Sequence, residues 1–342
     1  YALWYSADGT LELLDDGTVT GGDSMLLDLG SPYPSDVDGR LHLGGVPTLT
    51  IDDADLALVP DILEGQAAVV ATSAAGVRFG ATGLQIPGVL DDLYAYDGDL
   101  GVVWNGDVPT IRLWAPTATS VALHLFADAD PGTAPTPVEM TRDDDSGTWS
   151  VTGDASWAGR YYLYEVEVYA PSTGQVEHNL VTDPYSVSLS MNSARSQIVD
   201  LGDAALEPAE WDEAAKPGLV APEDIVIYEL HVRDFSVDDT TVPEEARGTY
   251  KAFALDEETA GMAHLEGLAE AGLTHLHLLP VFDIATINEN KAEWQEPDWT
   301  VLETYPPDSD QQQAAVTDTE NLDGFDWGYD PFHYTAPEGS YS

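Results

Sequence analysis

The sequence of 342 residues contains no cysteine. Disulfides, thiol catalysis and cysteine-based zinc sites are therefore excluded. It also lacks any apolar run of about 18 residues or more, so no membrane span is predicted. The opening residues Tyr1-Ala2-Leu3-Trp4 lack the features of a signal peptide and of a natural start. We therefore expect the chain to be cut at both ends.

Positive charge is scarce. The sequence has only 11 Lys and Arg but 62 Asp and Glu, which gives a formal net charge of −51. The lysines are Lys216, Lys251 and Lys291. Such a surface repels nucleic acids and anionic lipids but not a neutral glucan. Because salt screens carboxylate repulsion, we favour a saline habitat over an ordinary acidic secreted protein. The hydrophobic fraction of 43% argues against a disordered polyacid.

Calcium binding is a third possible reason for the acidity. The sequence has no Asp-x-Asp-x-Asp-Gly loop followed by Glu, which would mark a helix–loop–helix calcium site. Asp143-Asp144-Asp145 precedes Ser146-Gly147, a pattern typical of a hairpin turn. We therefore nominate no metal ligand, and calcium stays an open possibility.

Two β-rich regions are predicted, over residues 1–88 and 89–202. The first has short apolar runs between Gly, Asp and Pro clusters, which favours a small β-rich domain without evident chemistry. In the second, Ile111 and Leu113, and then Val121, Leu123 and Leu125, alternate with other residues, as expected for a β-sandwich. The three tryptophans of this region either form a platform that stacks on a sugar or pack in the core, and we favour core packing for each. They are Trp114, Trp149 and Trp157.

The pattern changes after a Pro-containing linker predicted over residues 203–222. Ile225–Val232 and Leu273–Pro280 are predicted to be strands covered on both faces. Between them, apolar residues from Met262 to Ala269 recur at helical spacing, and Gly272 supplies a stop. Strand, helix and strand in this order predict a parallel pair. The polar stretch from Val281 to Trp327 is predicted to be a long functional loop.

The segment Phe325–Tyr334 joins aromatic rings, carboxylates and turn residues within ten positions. A sugar-binding loop needs this combination, since a flat ring packs on a pyranose and a fixed acceptor binds its hydroxyls. With 62 acidic residues some pairs are close by chance, so we nominate no catalytic carboxylate. Asp234 and Asp283 lie at predicted strand ends. For both carboxylates we favour a structural role, as a hydrogen-bonded loop anchor or as a partner of Arg233, over a catalytic one.

Three segments resemble the type I pullulanases, the α-1,6-glucosidase branch of the α-amylase superfamily (glycoside hydrolase family 13). They are Ile227–Ser236, Leu278–Asp283 and Trp327–Pro331. Leu113–Ala118 and Thr182–Ser186 resemble a family 48 carbohydrate-binding module, while Gly88–Ala95 and Val242–Gly248 resemble further stretches of the family. One departure is visible, because Phe325-Asp326 stand where the family usually has Tyr-Asn.

The resemblance implies a multidomain fold. It consists of two β-rich, sandwich-like domains (1–88 and 89–202), the linker, and the start of a (β/α)8 barrel at 223–342. A complete barrel needs about 250 residues, so this one would be truncated. In the family, one carboxylate attacks the anomeric carbon and a second protonates the leaving oxygen, with retention of configuration. Both are expected beyond Ser342, which predicts that this chain alone is inactive.

The resemblance also assigns three substrate-binding residues. Tyr329 is expected to stack on the glucosyl unit before the scissile bond, Asp330 to accept hydrogen bonds from its hydroxyls, and Trp327 to line the cleft or support the loop. His333 is interpreted as a structural hydrogen-bonding residue. His275 and His277 are interpreted as satisfied interior residues, since two histidines are weak evidence for zinc.

The implied partner is an α-glucan such as pullulan, starch or glycogen-derived dextrins. A polymer cannot cross a membrane, so we expect an extracellular or cell-surface protein. The alternatives are a non-catalytic glucan-binding protein and another α-glucan enzyme, such as isoamylase or branching enzyme. With only two barrel strands, an open edge and an uncovered apolar face, the C-terminal third is expected to be weakly stable, with proteolysis in residues 203–222.

Overall fold

The structure, a computed structural model, describes residues 1–34, 41–75, 78–215, 217–256 and 258–342; Lys216 lies outside these ranges. The chain divides into two compact units. The first comprises residues 1–125, 134–154 and 163–181, and the second comprises residues 126–133, 155–162 and 182–342. Within the described residues, no helix combines the length and apolar character that crossing a membrane requires.

The first part of unit one is a set of short strands with one helix, as the sequence predicts. Its elements are β1 (Ala2–Ser6), β2 (Glu12–Leu13), β3 (Val19–Thr20), β4 (Asp23–Leu26), β5 (Asp28–Leu29), β6 (Leu49–Thr50), α1 (Val59–Leu63), β7 (Gln66–Thr72) and β8 (Arg78–Gly83). Four of them form an antiparallel sheet in the order β4-β1-β7-β8. Leu3, Met25 and Ile62 form its core.

The remaining strands of unit one, two of which extend into the residues of unit two, form two further sheets. After helix α2 (Pro87–Tyr94) come β9 (Gly101–Asn105), β10 (Val108–Trp114), β11 (Ala118–Phe126), β12 (Thr136–Glu139), β13 (Thr141–Asp143), β14 (Thr148–Thr152), β15 (Tyr161–Ala170) and β16 (Gln175–Val181). The strand orders are β13-β14-β10-β9 and β12-β11-β15-β16, with antiparallel pairing wherever the register is defined.

Alternation in the sequence selects the buried face of these strands. Ile111, Leu113, Val121, Leu123 and Leu125 are all buried, as the period of two predicts. The hairpin predicted at Asp143–Gly147 is confirmed: β13 pairs with β14, and Gly147 adopts a positive φ of 64°.

The predicted tryptophans of the sandwich mostly pack inside. Trp149 and Trp157 are buried, so core packing holds for them. Trp114 is half-buried, and its indole N–H donates to the carbonyl of Tyr94 at 2.9 Å. None of the three offers a fully open ring to a ligand.

Unit two carries the remaining strands and helices. They are β17 (Ser196–Gln197), β18 (Ile227–Leu230), α3 (Val232–Ser236), α4 (Ala260–Glu270), β19 (His275–Leu278), β20 (Phe282–Ile284), α5 (Trp299–Leu302), α6 (Gln311–Thr319) and β21 (Pro331–Pro337). β18 and β19 pair in parallel, with Ile227 opposite His275 and Leu230 opposite Leu278. The predicted strand–helix–strand unit is confirmed, with α4 capped by Thr259 and followed by Gly272 at φ 111°.

Two predictions about this unit are wrong. β18 and β19 are not covered on both faces, because Ile227 is 60% and Leu276 is 45% exposed. His275 and His277 are exposed rather than interior, and His277 Nδ1 lies 3.3 Å from a carboxylate oxygen of Glu229. An apolar run in the sequence shows only composition, whereas a strand is buried only when other elements pack on it. Among the described residues, these two strands pair only with each other.

The predicted loop 281–327 is also more structured than expected. It contains β20, which pairs antiparallel with β21, and the short helices α5 and α6. The sequence of α6 is rich in Gln and lacks an apolar stripe, and none of its residues is buried. Periodicity therefore gives no signal for it.

Candidate functional site

The loop that carries the predicted sugar-binding residues folds around the side chain of Asp326. Its carboxylate accepts hydrogen bonds from the backbone N–H of Gly328 at 2.6 Å and from the hydroxyl of Thr286 at 3.0 Å. Gly328 has a φ of 83°, and a Cβ there would lie 2.9 Å from Cβ of Pro280. Only glycine fits this turn without strain.

The end of strand β18 supports the same loop. The buried imidazole of His231 follows β18, and its Nε2 lies 2.9 Å from the carbonyl oxygen of Asp326 and 3.1 Å from the hydroxyl of Tyr341. Nδ1 of His231 accepts from the backbone N–H of Asp234, at the start of α3. These partners assign the neutral tautomer with the proton on Nε2.

The three sequence-predicted binding residues lie together on this loop. Tyr329 is 69% and Trp327 is 60% exposed, so both rings are available to a ligand. Asp330, the next residue along the chain, is half-buried. An exposed ring beside a carboxylate is chemically suited to a neutral, hydroxyl-rich ligand.

The backbone of the loop is anchored at Asp330. The main-chain hydrogen bond from the N–H of Ala285 to the carbonyl of Asp330 spans 3.0 Å and joins the loop to the end of β20. Ile284, the last residue of β20, pairs with Pro331, the first residue of β21. The loop is therefore held at both of its ends, by Asp326 on one side and by this strand pair on the other. Its aromatic side chains project from a fixed backbone.

A buried polar cluster lies in the same unit. Asp283 and His333 are each 2% exposed at the side chain, and Nδ1 of His333 lies 2.6 Å from the Asp283 carboxylate. The second oxygen of Asp283 accepts from the hydroxyl of Ser193 at 2.6 Å, and Nε2 of His333 lies 2.8 Å from the hydroxyl of Thr182. The interpretation of His333 as a structural hydrogen-bonding residue is confirmed, and Asp283 anchors this cluster.

Two further carboxylates complete the cluster. Glu338 is buried and accepts from the N–H groups of Ile284 at 2.8 Å and Ser340 at 2.7 Å, while Glu289 accepts from the N–H of Asn192 at 2.7 Å. Burial raises the pKa of Glu338 and that of Glu289 above their usual range, against the lowering effect of these hydrogen bonds.

The cluster also has the donor set of a cation site. One carboxylate oxygen from each of Asp283, Glu289 and Glu338 lies within 4.8 Å of the others, and oxygen ligands of this kind suit calcium. The hydrogen bonds already made to these oxygens by protein donors satisfy much of their capacity without an ion. Asp283, Glu289 and Glu338 are therefore candidate ligands for calcium.

Asp234, the other tempting carboxylate, lies at the surface. Its side chain is 53% exposed, and an oxygen lies 3.5 Å from Nη1 of Arg233. This arrangement fits the favoured interpretation, pairing with Arg233, rather than a catalytic role.

Sequence reasoning missed several residues that shape the site. Tyr341, Glu338 and Glu289 were not singled out, although all three contact the supports of the loop or the buried cluster. The local signal for Glu338 was its position before Gly339-Ser340, where its carboxylate caps a short helical turn. The contact between His231 and Asp326 spans 95 positions in sequence and left no local signal.

Comparison with known proteins is consistent with this picture. Residues 1–92 match the pullulanase N2 domain, and residues 99–186 match carbohydrate-binding module 48, the isoamylase N-terminal domain. The chain is 42% identical over 287 residues to pullulanase 1, chloroplastic, of Arabidopsis thaliana, covering 83% of this chain and 29% of that protein. It is 38% identical over 331 residues to a pullulanase of Klebsiella pneumoniae, covering 84% of this chain and 30% of that protein.

Solved structures give the same result for the fold. The crystal structure of a pullulanase variant from Klebsiella pneumoniae in complex with maltotriose matches all of this chain and 41% of that chain, with a TM-score of 0.85 and 34% sequence identity. A pullulanase structure from Klebsiella oxytoca matches with a TM-score of 0.86 and 33% identity, covering 100% of this chain and 36% of that chain. The chain thus spans about three tenths of the length of the curated relatives named above.

Proposed function

We propose that this chain, which belongs to the pullulanase-type glycoside hydrolases of the α-amylase superfamily, serves the hydrolysis of α-1,6-glucosidic linkages in pullulan, amylopectin or limit dextrins. The observation that carries the proposal is the loop on which Trp327, Tyr329 and Asp330 are presented above buried supports. The retaining double displacement needs two carboxylates about 5–5.5 Å apart, and we infer that residues outside this chain supply them.

Within this proposal, each loop residue has one task. Tyr329 stacks on the glucosyl unit before the scissile bond, Asp330 accepts hydrogen bonds from its hydroxyls, and Trp327 lines the cleft. The exposure of both rings and the fixed backbone at Asp330 support these assignments. Holding the sugar in one pose lowers the entropic part of the activation barrier.

We also infer that β18, α4 and β19 begin a (β/α)8 barrel. The parallel pairing of the two strands across a helix is the repeating unit of such a barrel. The loop lies next to the carboxyl end of β18, because His231, which follows that strand, donates to the carbonyl of Asp326. Barrel enzymes build their active sites at this end of their strands. The apolar side chains exposed on β18 and β19 offer a surface for further strands and helices.

A full-length protein that includes this chain provides the test. We expect it to release maltotriose from pullulan, and we expect this chain alone to release nothing. Tyr329→Ala in the full-length protein should lower kcat/KM by about a hundredfold, since a misplaced substrate costs that much. Tyr185→Ala is the matched control, because Tyr185 is also an exposed tyrosine and lies outside residues 325–334. A full-length protein that leaves pullulan intact would refute the assignment in favour of another α-glucan enzyme.

A second candidate function is glucan binding without catalysis. The match of residues 99–186 to a carbohydrate-binding module favours it. Retardation of this chain in a gel that contains amylopectin, compared with a gel without it, tests binding directly. Retardation together with an inactive full-length protein would support this candidate alone.

We propose an extracellular or cell-surface location in a saline environment. The net charge of −51 supports the saline part, because salt screens repulsion between carboxylates. The extracellular part follows from the proposed substrate, since a glucan polymer does not cross a membrane. Thermal unfolding in increasing NaCl tests the saline part, and we expect Tm to rise. A Tm that falls or stays constant up to molar NaCl would contradict it. Secretion is tested separately, by locating the full-length protein in cell fractions.

A further inference from the structure

A cleft of about 770 Å³ lies in unit two, beside the loop described above. Its walls carry two tryptophans and six charged side chains: Trp294, Trp299, Arg233, Asp234, Asp238, Arg247, Lys291 and Glu296. We propose that this cleft is a binding site for a stretch of neutral α-glucan chain, distinct from the stacking position at Tyr329. The inference rests on the proposed function, since it assumes that the protein handles α-glucans.

The charges of the cleft select a neutral ligand. Three of the eleven Lys and Arg of the sequence line it, together with two Asp and one Glu, so these charges sum to zero. The chain as a whole carries −51. An anionic ligand would need a net positive wall, and a cation would find stronger attraction elsewhere on this surface. Three cationic side chains, which donate, and three carboxylates, which accept, instead suit the hydroxyl groups of a sugar.

One wall of the cleft is a fixed indole. Nε1 of Trp294 donates to the carbonyl of Asn288 at 2.6 Å, which sets the orientation of the ring. The ring also lies against the backbone of Gly324, where an added Cβ would be 2.3 Å from Cε3 of Trp294. A glycine at this position thus lets the main chain approach the ring closely. Trp294 is a rigid surface that loses little freedom when a ligand binds.

A second indole is open to ligand. Trp299 is 61% exposed at the first position of α5, although the helix start is fixed by Asp298, whose carboxylate accepts from the N–H of Thr300 at 3.0 Å. Large aromatic side chains are usually buried for most of their surface. An exposed indole on a fixed backbone, in the wall of a cleft with hydrogen-bonding groups, is the arrangement that stacks on a pyranose ring.

Arg233 connects the cleft to the loop. Its guanidinium lies 3.5 Å from Asp234 and 3.6 Å from Glu296, distances at which its donors are only loosely engaged. The same guanidinium lies 5.8 Å from the ring centre of Phe325. Phe325 in turn packs edge-on against Trp327, with ring centres 5.6 Å apart. Arg233 and Phe325 therefore link the wall of the cleft to the ring of Trp327.

Calorimetric titration of this chain with maltohexaose tests the proposal. We expect Trp299→Ala to weaken binding about tenfold, the loss of one aromatic contact. Trp211→Ala is the matched control, because Trp211 is 62% exposed and lies outside the cleft. Circular dichroism of each variant establishes that it is folded. Cellohexaose, whose linkages are β, is the ligand control.

Weaker binding in Trp299→Ala, with Trp211→Ala unchanged, supports the cleft. Equal binding by all three proteins overturns the cleft while leaving glucan binding intact. No binding by any protein, the unaltered chain included, overturns the cleft and counts against glucan binding by this chain. Tighter binding of a sulfated hexasaccharide than of maltohexaose would overturn the assignment of a neutral ligand.

Discussion

The buried imidazole of His231 donates a hydrogen bond of 2.9 Å to the main-chain carbonyl of Asp326. This single contact joins the end of a parallel strand to the loop that presents Trp327 and Tyr329. The carboxylate of Asp326 accepts a hydrogen bond from the N–H of Gly328. The loop is therefore fixed through both the carbonyl and the carboxylate of Asp326.

Removing the imidazole should loosen the loop. His231→Ala leaves the partly buried carbonyl of Asp326 without its donor, which costs about 0.5–1.5 kcal/mol of unfolding free energy. Hydrogen exchange at the amide of Gly328 should accelerate at the same time. His277→Ala is the control, because His277 is exposed on the neighbouring strand and should change neither quantity measurably. Unchanged exchange at Gly328 in His231→Ala would contradict the supporting role.

The buried pair of Asp283 and His333 should contribute strongly to stability. Asp283→Ala leaves the imidazole of His333 and the hydroxyl of Ser193 without their acceptor, and breaking a buried pair of this kind costs about 3–5 kcal/mol. Denaturant unfolding measures the effect. Glu229→Ala, which removes the exposed partner of His277, should cost less than about 1 kcal/mol. Equal losses in the two variants would be evidence against the pair.

Stability should depend on pH through Glu338. Because burial raises its folded-state pKa, the folded protein binds more protons than the unfolded protein between the two pKa values. Above the folded-state pKa, the buried charge of Glu338 therefore lowers the free energy of unfolding by its full amount, and this loss shrinks as the pH falls through that pKa. The free energy of unfolding should thus rise on acidification, and it should rise less in Glu338→Gln than in the unaltered chain. Glu320→Gln, at an exposed position, should leave the pH profile of unfolding unchanged.

Calcium should stabilise the chain through the carboxylates of Asp283, Glu289 and Glu338. We expect added calcium to raise Tm in the unaltered chain and to raise it less in Glu289→Gln, which preserves the shape of the side chain but removes one of three candidate ligands. Addition of a chelator should reverse the rise. Equal shifts in the variant and the unaltered chain would assign the effect to other acidic groups, and magnesium serves as the control for general screening.

Two glycines should respond to alanine in opposite directions. Gly328→Ala forces a residue with a Cβ into a φ of 83° and against Pro280, so it should destabilise the protein by more than about 1 kcal/mol. Gly267 lies within α4 and has open space around it, so Gly267→Ala should stabilise by about 0.4–1 kcal/mol. Denaturant midpoints measured under one condition compare them directly. Stabilisation by Gly328→Ala would show that the turn is not constrained as described.

The sequence by itself determined the local structure. Alternating apolar residues around Ile111 and Leu123 identified the buried face of the sandwich, and the spacing before Gly272 identified helix α4. These features depend on neighbours within a few positions, so a pattern records them. The aromatic and acidic composition of residues 325–334 likewise marked a ligand-binding loop, although the roles of Tyr329, Asp330 and Trp327 stay predictions.

Only the tertiary structure decided which side chains are buried and which residues meet. Apolar runs predicted covered strands, yet β18 and β19 expose Ile227 and Leu276, because burial depends on elements packed from elsewhere in the chain. The contacts of His231 with Asp326 and of Ser193 with Asp283 join residues 95 and 90 positions apart. Hydrogen bonds act over about 3 Å, so no spacing in a linear sequence can reveal a pairing that chain folding alone creates.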